Sequence, residues 1–328
     1  MKRPLIIVTG PTAVGKTSLS IRLAKALDGE IISADSMQVY RGMDIGSAKV
    51  TASEMDGVPH HLIDVLDPQE EFNVTVFQSM ARQALSGIYE RGHVPIVAGG
   101  TGFYIQALLY DIDFTENDED TALRARLEET AAAQGSEALY ERLKIIDPES
   151  CESIHAHNVK RVIRAIEFYE KTGMKISEHN RQQRERTSPY NFAYFVLTDD
   201  RERLYGRIEA RIDRMLEEGL VEEVAALAAA GCTREMVSMQ GLGYKEILDY
   251  LDGKVTLEEA VYTLKRDTRH FAKRQLTWFR RERDVIWIDK KEFGYDDGQI
   301  LKYIGEVLRE KGIRCSQDGT RMENKAGR

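Results

Sequence analysis

The chain is predicted to adopt an α/β fold of the P-loop NTPase type: a parallel sheet flanked by helices, with a mainly helical insertion domain. Three observations predict it. A phosphate loop stands close to the start, strand-like and helix-like segments alternate over roughly the first hundred residues, and helical sequence then takes over before a strand pattern returns. The loop is Gly10-Pro11-Thr12-Ala13-Val14-Gly15-Lys16-Thr17, a complete G-x-x-x-x-G-K-[ST]. Residues 4–9 before it are an apolar run of buried-strand type, and Leu19, Leu23 and Leu27 after it repeat at helical spacing. In such a loop, backbone N–H groups point at an anion and the following helix N-terminus adds its positive dipole. Lys16 would reach the outer phosphate oxygens, and the Thr17 hydroxyl would hold a magnesium ion (Mg2+). The loop therefore calls for a diphosphate or triphosphate without saying which molecule carries it.

The remaining elements follow in order. Residues 30–34 read as a second strand, 77–90 as an amphipathic helix and 94–98 as a further strand ended by Gly99-Gly100. Strands alternating with helices imply a parallel sheet with its ligands at the carboxyl ends of the strands. Residues 122–133, 136–146 and 158–172 are helical candidates, Ser188-Pro189 breaks the pattern, and 190–197 read as a strand returning to the sheet. Helices are expected over 201–218, 219–230, 256–280 and 297–311, with a closing strand at 285–288. The expected organisation is a discontinuous catalytic core over 1–112 and 188–312, a helical insertion over 113–187, and a frayed polar tail over 313–328.

Composition narrows the class. Hydrophobic residues make up 42% of the 328, enough for one large core or two smaller ones. The longest apolar runs are about six residues, far short of the ~20 that span a bilayer, so no membrane segment is expected. Cys151, Cys232 and Cys315 lie far apart with no CxxC pair, which points to a reducing, cytoplasmic setting. The net charge is −8, but it is unevenly spread: residues 263–283 hold eight Lys/Arg against two acidic residues, and 151–190 hold eight against five. Basic stretches in an acidic chain either solvate helix faces or dock an anionic polymer.

Asp35 stands at the tip of the second strand, in Asp35-Ser36-Met37-Gln38. A carboxylate beside a phosphate loop can take a proton or bind the metal; equally, it can cap the next segment. Thr101, after two glycines, can touch a phosphate oxygen or merely turn the chain. An Asn-Lys-x-Asp element for guanine is absent, and the strand at 94–98 ends in Gly-Gly rather than in the Asp with which NTPases hold magnesium. Chemistry other than ATP hydrolysis is favoured.

Taken together and in order, several segments are more specific. They are the loop at 10–17, the run from Asp35 to Lys49, Pro59-His60-His61-Leu62-Ile63-Asp64, Gly99-Gly100-Thr101-Gly102-Phe103-Tyr104, residues 158–165, Gly241-Leu242-Gly243-Tyr244 and Lys273-Arg274-Gln275-Leu276-Thr277-Trp278-Phe279-Arg280. Over about residues 4–290 the chain resembles the bacterial tRNA dimethylallyltransferases (tRNA isopentenyltransferases). That resemblance implies transfer of a dimethylallyl group from dimethylallyl diphosphate to N6 of the adenine 3′-adjacent to the anticodon. The loop would then hold the diphosphate of an isoprenoid, with Lys16, magnesium on Thr17, and Thr101 stabilising the leaving charge. Asp35 matches the family's general base. Ser36, Met37 and Gln38 would line the pocket of an extruded adenine. Arg211 matches an arginine near the diphosphate, with Arg207 at a comparable spacing. The insertion would grip the tRNA anticodon stem-loop through Lys160, Arg161 and Arg164, with Arg124 contributing. The enzyme is expected to be a monomer. A small-molecule or nucleotide kinase using ATP, and an RNA-binding protein that uses the loop structurally, are the rival readings.

Overall fold

A computed structural model describes residues 2–114 and 121–313 of the chain. The expected tail, beyond Ile313, and Cys315 with it, lie outside the described residues. The chain divides into two compact units, one running up to Leu109 and resuming at Pro189, the other spanning Tyr110–Ser188.

The first unit begins with β1 (Arg3–Thr9), α1 (Lys16–Leu27), β2 (Gly29–Ala34), α2 (Ala52–Met55), β3 (His60–His61), α3 (Val74–Glu90), β4 (Val94–Gly99) and α4 (Gly102–Leu109). The second unit carries α5 (Thr121–Gln134), α6 (Ser136–Ile146), α7 (Val159–Thr172) and α8 (Ile176–Glu185). The first unit resumes with β5 (Tyr190–Thr198), α9 (Arg201–Glu217), α10 (Leu220–Ala229), α11 (Tyr244–Leu251), α12 (Leu257–Phe279), β6 (Val285–Asp289) and α13 (Asp297–Glu310). All six strands form one parallel sheet in the order β3-β2-β4-β1-β5-β6. β1 is central, so both its faces are covered, and Leu5, Ile6, Ile7 and Val8 are buried without alternation.

The strand order puts the carboxyl ends of β2, β4 and β1 side by side. The approach is close. Ala34 pairs with Gly99, and a methyl group on Gly99 would lie 2.2 Å from the Ala34 carbonyl oxygen, so no larger residue fits. On the other side, the Thr9 hydroxyl donates to the Gly99 carbonyl at 2.6 Å.

Local chemistry explains where several helices start. Asn73 accepts from the backbone N–H groups of Thr75 and Val76 to begin α3, and Thr51 with Glu54, and Thr256 with Glu259, form capping boxes at α2 and α12. β3, α2, α4, α8 and α11 are not among the elements expected from sequence. Two residues are too few to show a strand periodicity, and α4 (Gly-Phe-Tyr-Ile-Gln-Ala-Leu-Leu) is apolar nearly all round, so it lacks a polar face to reveal it. In the second unit, α5, α6 and α7 pack through Leu123, Leu127, Leu139, Leu143, Val162 and Ile166.

At the far end of β2 a buried carboxylate is locked in place. Arg91 donates to both oxygens of Glu30 at 2.8 and 2.7 Å, and His61 Nε2 lies 2.6 Å from one of them. The Arg91 hydrogen bonds, reinforced by His61 and opposed by burial, lower the Glu30 carboxyl from 4.5 to about 2. Because the folded value is the lower one, the contribution to stability is fully present above pH 4.5 and is lost as the pH falls towards 2. Glu30→Gln should therefore lower the unfolding free energy at pH 6 and converge on wild type across that window. Denaturant unfolding measured at successive pH values checks this, and a constant gap from pH 6 to pH 2.5 would contradict it.

Candidate active site

The loop after β1 owes its shape to three residues with positive φ: Gly10 (146°), Ala13 (63°) and Gly15 (101°). Gly15 is the N-cap of α1 and offers no side-chain acceptor, and no acidic residue sits in the first helical turn. The helix therefore begins with donors and a positive dipole end, an arrangement that accepts an anion. Lys16 folds back over the loop, donating to the carbonyls of Gly10 (3.1 Å) and Pro11 (2.8 Å). Burial, reinforced by nearby Arg211 and opposed by Asp35, lowers its ammonium to about 7. Thr17 is exposed at the start of α1.

One loop amide is already engaged. The Thr12 N–H donates to Gln275 Oε1 at 2.9 Å, and Gln275 Nε2 donates to the Gly100 carbonyl at 2.9 Å. This buried carboxamide on α12 joins the phosphate loop to the turn after β4. Sequence reading passed over Gln275, although it lies inside a segment that carried the resemblance.

Asp35 leaves β2 with Oδ1 accepting from the N–H groups of Met37 (2.9 Å) and Gln38 (3.3 Å). The capping reading and the chemical reading are thus compatible. One oxygen organises the turn, and Oδ2 has no hydrogen-bond partner among the described residues. The Thr101 N–H donates to the Ala34 carbonyl at 3.2 Å, which holds the β4 turn against the β2 turn.

Thr12 of the loop, the Asp35 turn and the Thr101 turn meet in a cavity of about 410 Å³. Thr12, Asp35, Ser36, Met37, Thr101 and Arg211 line it, and Phe72, Tyr104, Ile212, Met215, Leu264 and Phe271 give it apolar walls. Asp35 is the one acid among the lining residues. Gln38 departs from the expectation that it lines the pocket. Its carboxamide is spent on the carbonyls of Ser47 (3.4 Å) and Ala48 (3.1 Å), and Ser47 and Ala48 form that wall instead.

A second residue that the sequence did not single out fixes this wall. Glu223 on α10 accepts from the N–H groups of Asp44 (2.8 Å), Ile45 (2.7 Å) and Gly46 (3.0 Å), and from the Tyr244 hydroxyl (2.9 Å). Lys49 adds bonds to the Tyr40 carbonyl (2.6 Å) and to the carboxylates of Asp44 (2.6 Å) and Asp64 (2.5 Å). Both arginines considered on α9 reach the loop: Arg211 lines the cavity, and Arg207 Nη2 lies 3.6 Å from where a Gly15 methyl group would sit.

In the second unit, Lys160, Arg161 and Arg164 are exposed on α7. Arg124 is held by Glu167 through two hydrogen bonds of 3.2 and 3.1 Å. In the first unit, His270, Lys273, Arg274, Thr277 and Arg281 line a shallow surface hollow along α12, while Phe279 is fully buried. Among the described residues, no group of three or more His, Cys, Asp or Glu side chains could hold a metal ion. No described helix is long and apolar enough to cross a membrane.

A phosphate loop whose Thr12 edges a cavity with apolar walls and one strand-end carboxylate suits a group transferase. The comparisons with known proteins make the class specific. The IPP transferase family model matches residues 38–282, and the isopentenyl transferase model matches residues 3–67. A tRNA dimethylallyltransferase of Lachnoclostridium phytofermentans is 60% identical over 311 residues, covering 95% of this chain and 99% of the relative. One of Acetivibrio thermocellus is 50% identical over 309 residues, covering 94% and 98%. Among solved structures, the full-length tRNA isopentenylpyrophosphate transferase of Bacillus halodurans is 47% identical with a TM-score of 0.71, covering 95% of this chain and 98% of that one. A eukaryotic dimethylallyltransferase acting on tRNA is 32% identical with a TM-score of 0.77, covering 88% and 74%. The chain belongs to the IPP transferase family.

The depressed Lys16 ammonium has a measurable consequence. With its ammonium lowered to about 7, the side chain should be largely neutral at pH 8, and an anion seated beside it should restore the charge with uptake of a proton. Calorimetric titration of inorganic diphosphate at pH 8, in buffers of different ionisation enthalpy, should show greater proton uptake for wild type than for Lys16→Met. Affinity should fall as the pH rises above 7. Equal uptake by the two proteins would refute the assignment.

Proposed function

We propose that the chain transfers the dimethylallyl group of dimethylallyl diphosphate to N6 of the adenine 3′-adjacent to the anticodon of tRNA, releasing diphosphate. Its family makes it a prenyltransferase that acts on tRNA. The observation that carries the finer reading is the shared cavity, in which Thr12 of the loop, Asp35, Thr101 and Arg211 face apolar walls suited to a short hydrocarbon chain. As the carbon–oxygen bond to diphosphate breaks, charge grows on the leaving oxygen, where Lys16, Arg211 and the Thr101 hydroxyl supply preorganised stabilisation. The amine nitrogen forms the new bond to carbon, and Asp35 Oδ2 accepts its proton. An adenine inside a stacked loop is out of reach, so the base must turn out into the cavity beside Ser36 and Met37.

The donor set fits a magnesium ion that arrives with the diphosphate. The Thr17 hydroxyl is a hard oxygen ligand at the loop, and Mg2+ commonly takes few protein ligands beside substrate phosphates. Bound there, it would neutralise part of the leaving group's charge. The protein is read as a monomer, and a tRNA substrate supports a cytoplasmic setting. The exposed Lys160, Arg161 and Arg164 support a role for the second unit in holding the anticodon stem-loop through its phosphates. In the first unit, the basic hollow on α12 supports a further tRNA contact.

Incubating the protein with dimethylallyl diphosphate and unmodified tRNA should add the mass of one dimethylallyl unit to the tRNA. ATP consumed with no such gain would favour a kinase instead. Asp35→Asn should retain tRNA binding and lower turnover by at least about 10²-fold; single-turnover rates near wild type would remove Asp35 from the role of base. Changing Arg161 and Arg164 together to Ala should weaken tRNA binding and reduce the salt slope of log K by about one to two. An unchanged slope would return both residues to the solvated surface.

A further inference from the structure

Lys290 follows the last residue of β6, and its backbone N–H donates to the Thr198 carbonyl at 3.0 Å. Its side chain, only 9% exposed, runs back towards the phosphate loop. A methyl group on Gly15 would lie 3.3 Å from Lys290 Nζ and 3.6 Å from Arg207 Nη2, so two cations from distant parts of the chain converge on the N-cap of α1.

This placement is unfavourable by itself. The amino end of a helix carries positive partial charge and disfavours cations, and burying an ammonium costs solvation. The acidic partner of Lys290 is Asp297, at 3.2 Å, but Asp297 also faces Arg22 at 3.5 Å and sits in the first turn of α13, where an acid is already favoured. Arg22 faces Oδ2 and Lys290 faces the buried Oδ1, so the single charge of Asp297 is shared between two cations. Arg211 acts on the Lys16 ammonium, and Arg207 and Lys290 approach Gly15, so cations from three elements gather at the loop.

Helix α9 orders the cations. Arg211 and Arg207 are one turn apart, about 6 Å along its axis. Arg211 lines the cavity with Asp35, and Arg207 sits over Gly15, outside the cavity lining. We propose that Lys290 and Arg207 form a second cationic contact of the phosphate loop, binding the distal phosphate of a diphosphate whose reacting end lies with Lys16, Arg211 and Asp35. This rests on the reading of the loop as a prenyl-diphosphate site. Charge on the distal phosphate is nearly the same in substrate and product, so the contact strengthens both alike and acts on KM and on product affinity rather than on kcat.

The experiment compares four full-length proteins: wild type, Lys290→Met, Asp297→Asn and Lys16→Met. Inorganic diphosphate is titrated with magnesium present, and steady-state transfer to tRNA and thermal midpoints are measured alongside. Lys290→Met should weaken diphosphate about ten-fold and raise KM for dimethylallyl diphosphate by a similar factor, with kcat within about two-fold. Asp297→Asn breaks the same ion pair but keeps the cation, so its diphosphate affinity should hold or improve. Equal weakening in both variants, or a Lys290→Met affinity within two-fold of wild type, would overturn the proposal and leave Lys290 as the partner of Asp297 alone. In that case, weakened binding by Lys16→Met would show that the loop reading itself survives. A wild type that binds no diphosphate would remove the loop reading and this inference together.

Discussion

The site depends on how closely three parallel strand ends can be set side by side. Neighbouring strands are about 4.8 Å apart, so β2, β4 and β1 present the Asp35 turn, the Thr101 turn and the phosphate loop within about 10 Å of one another. The contact of Gly99 with Ala34 allows that spacing at the point where side chains would otherwise push the turns apart. Gln275 then bonds to two of the three ends, and the Thr101 N–H bonds to the third. The chemistry rests on backbone geometry as much as on the reactive groups themselves.

How much of this could be read beforehand followed the range over which each feature is encoded. The loop, the strand ahead of it and the helix after it lie within about 25 residues, and local pattern was enough to place them. Asp35 and Thr101 were legible because each sits where a strand run stops. Gln275 and Glu223 were not, because their partners lie 263 and some 178 residues away in the chain and no local periodicity marks them. Glu223, in the first turn of α10, reads simply as an acid at a helix start. Gln38 shows the opposite failure. Its position beside Asp35 suggested the pocket, but a carboxamide with two backbone carbonyls in reach satisfies them first.

The charge distribution makes sense of a chain that is acidic overall. Cations gather along the loop, on α7 and along α12, while carboxylates in the first unit serve largely as acceptors for backbone donors and loop lysines, as Glu223, Asp44 and Asp64 do. Net charge therefore says little about which surface meets an anion.

The posture of Lys16 carries a consequence of its own. Its ammonium rests on the carbonyls of Gly10 and Pro11, so an incoming anion must offer more than those two neutral acceptors to draw it away. A singly charged ion such as chloride offers one weak contact, whereas a diphosphate presents several oxygens to Lys16 and the α1 amides together. On the proposed reading of the loop, the resting lysine would act as a threshold, making the loop discriminate by valence before any part of the cavity could discriminate by shape.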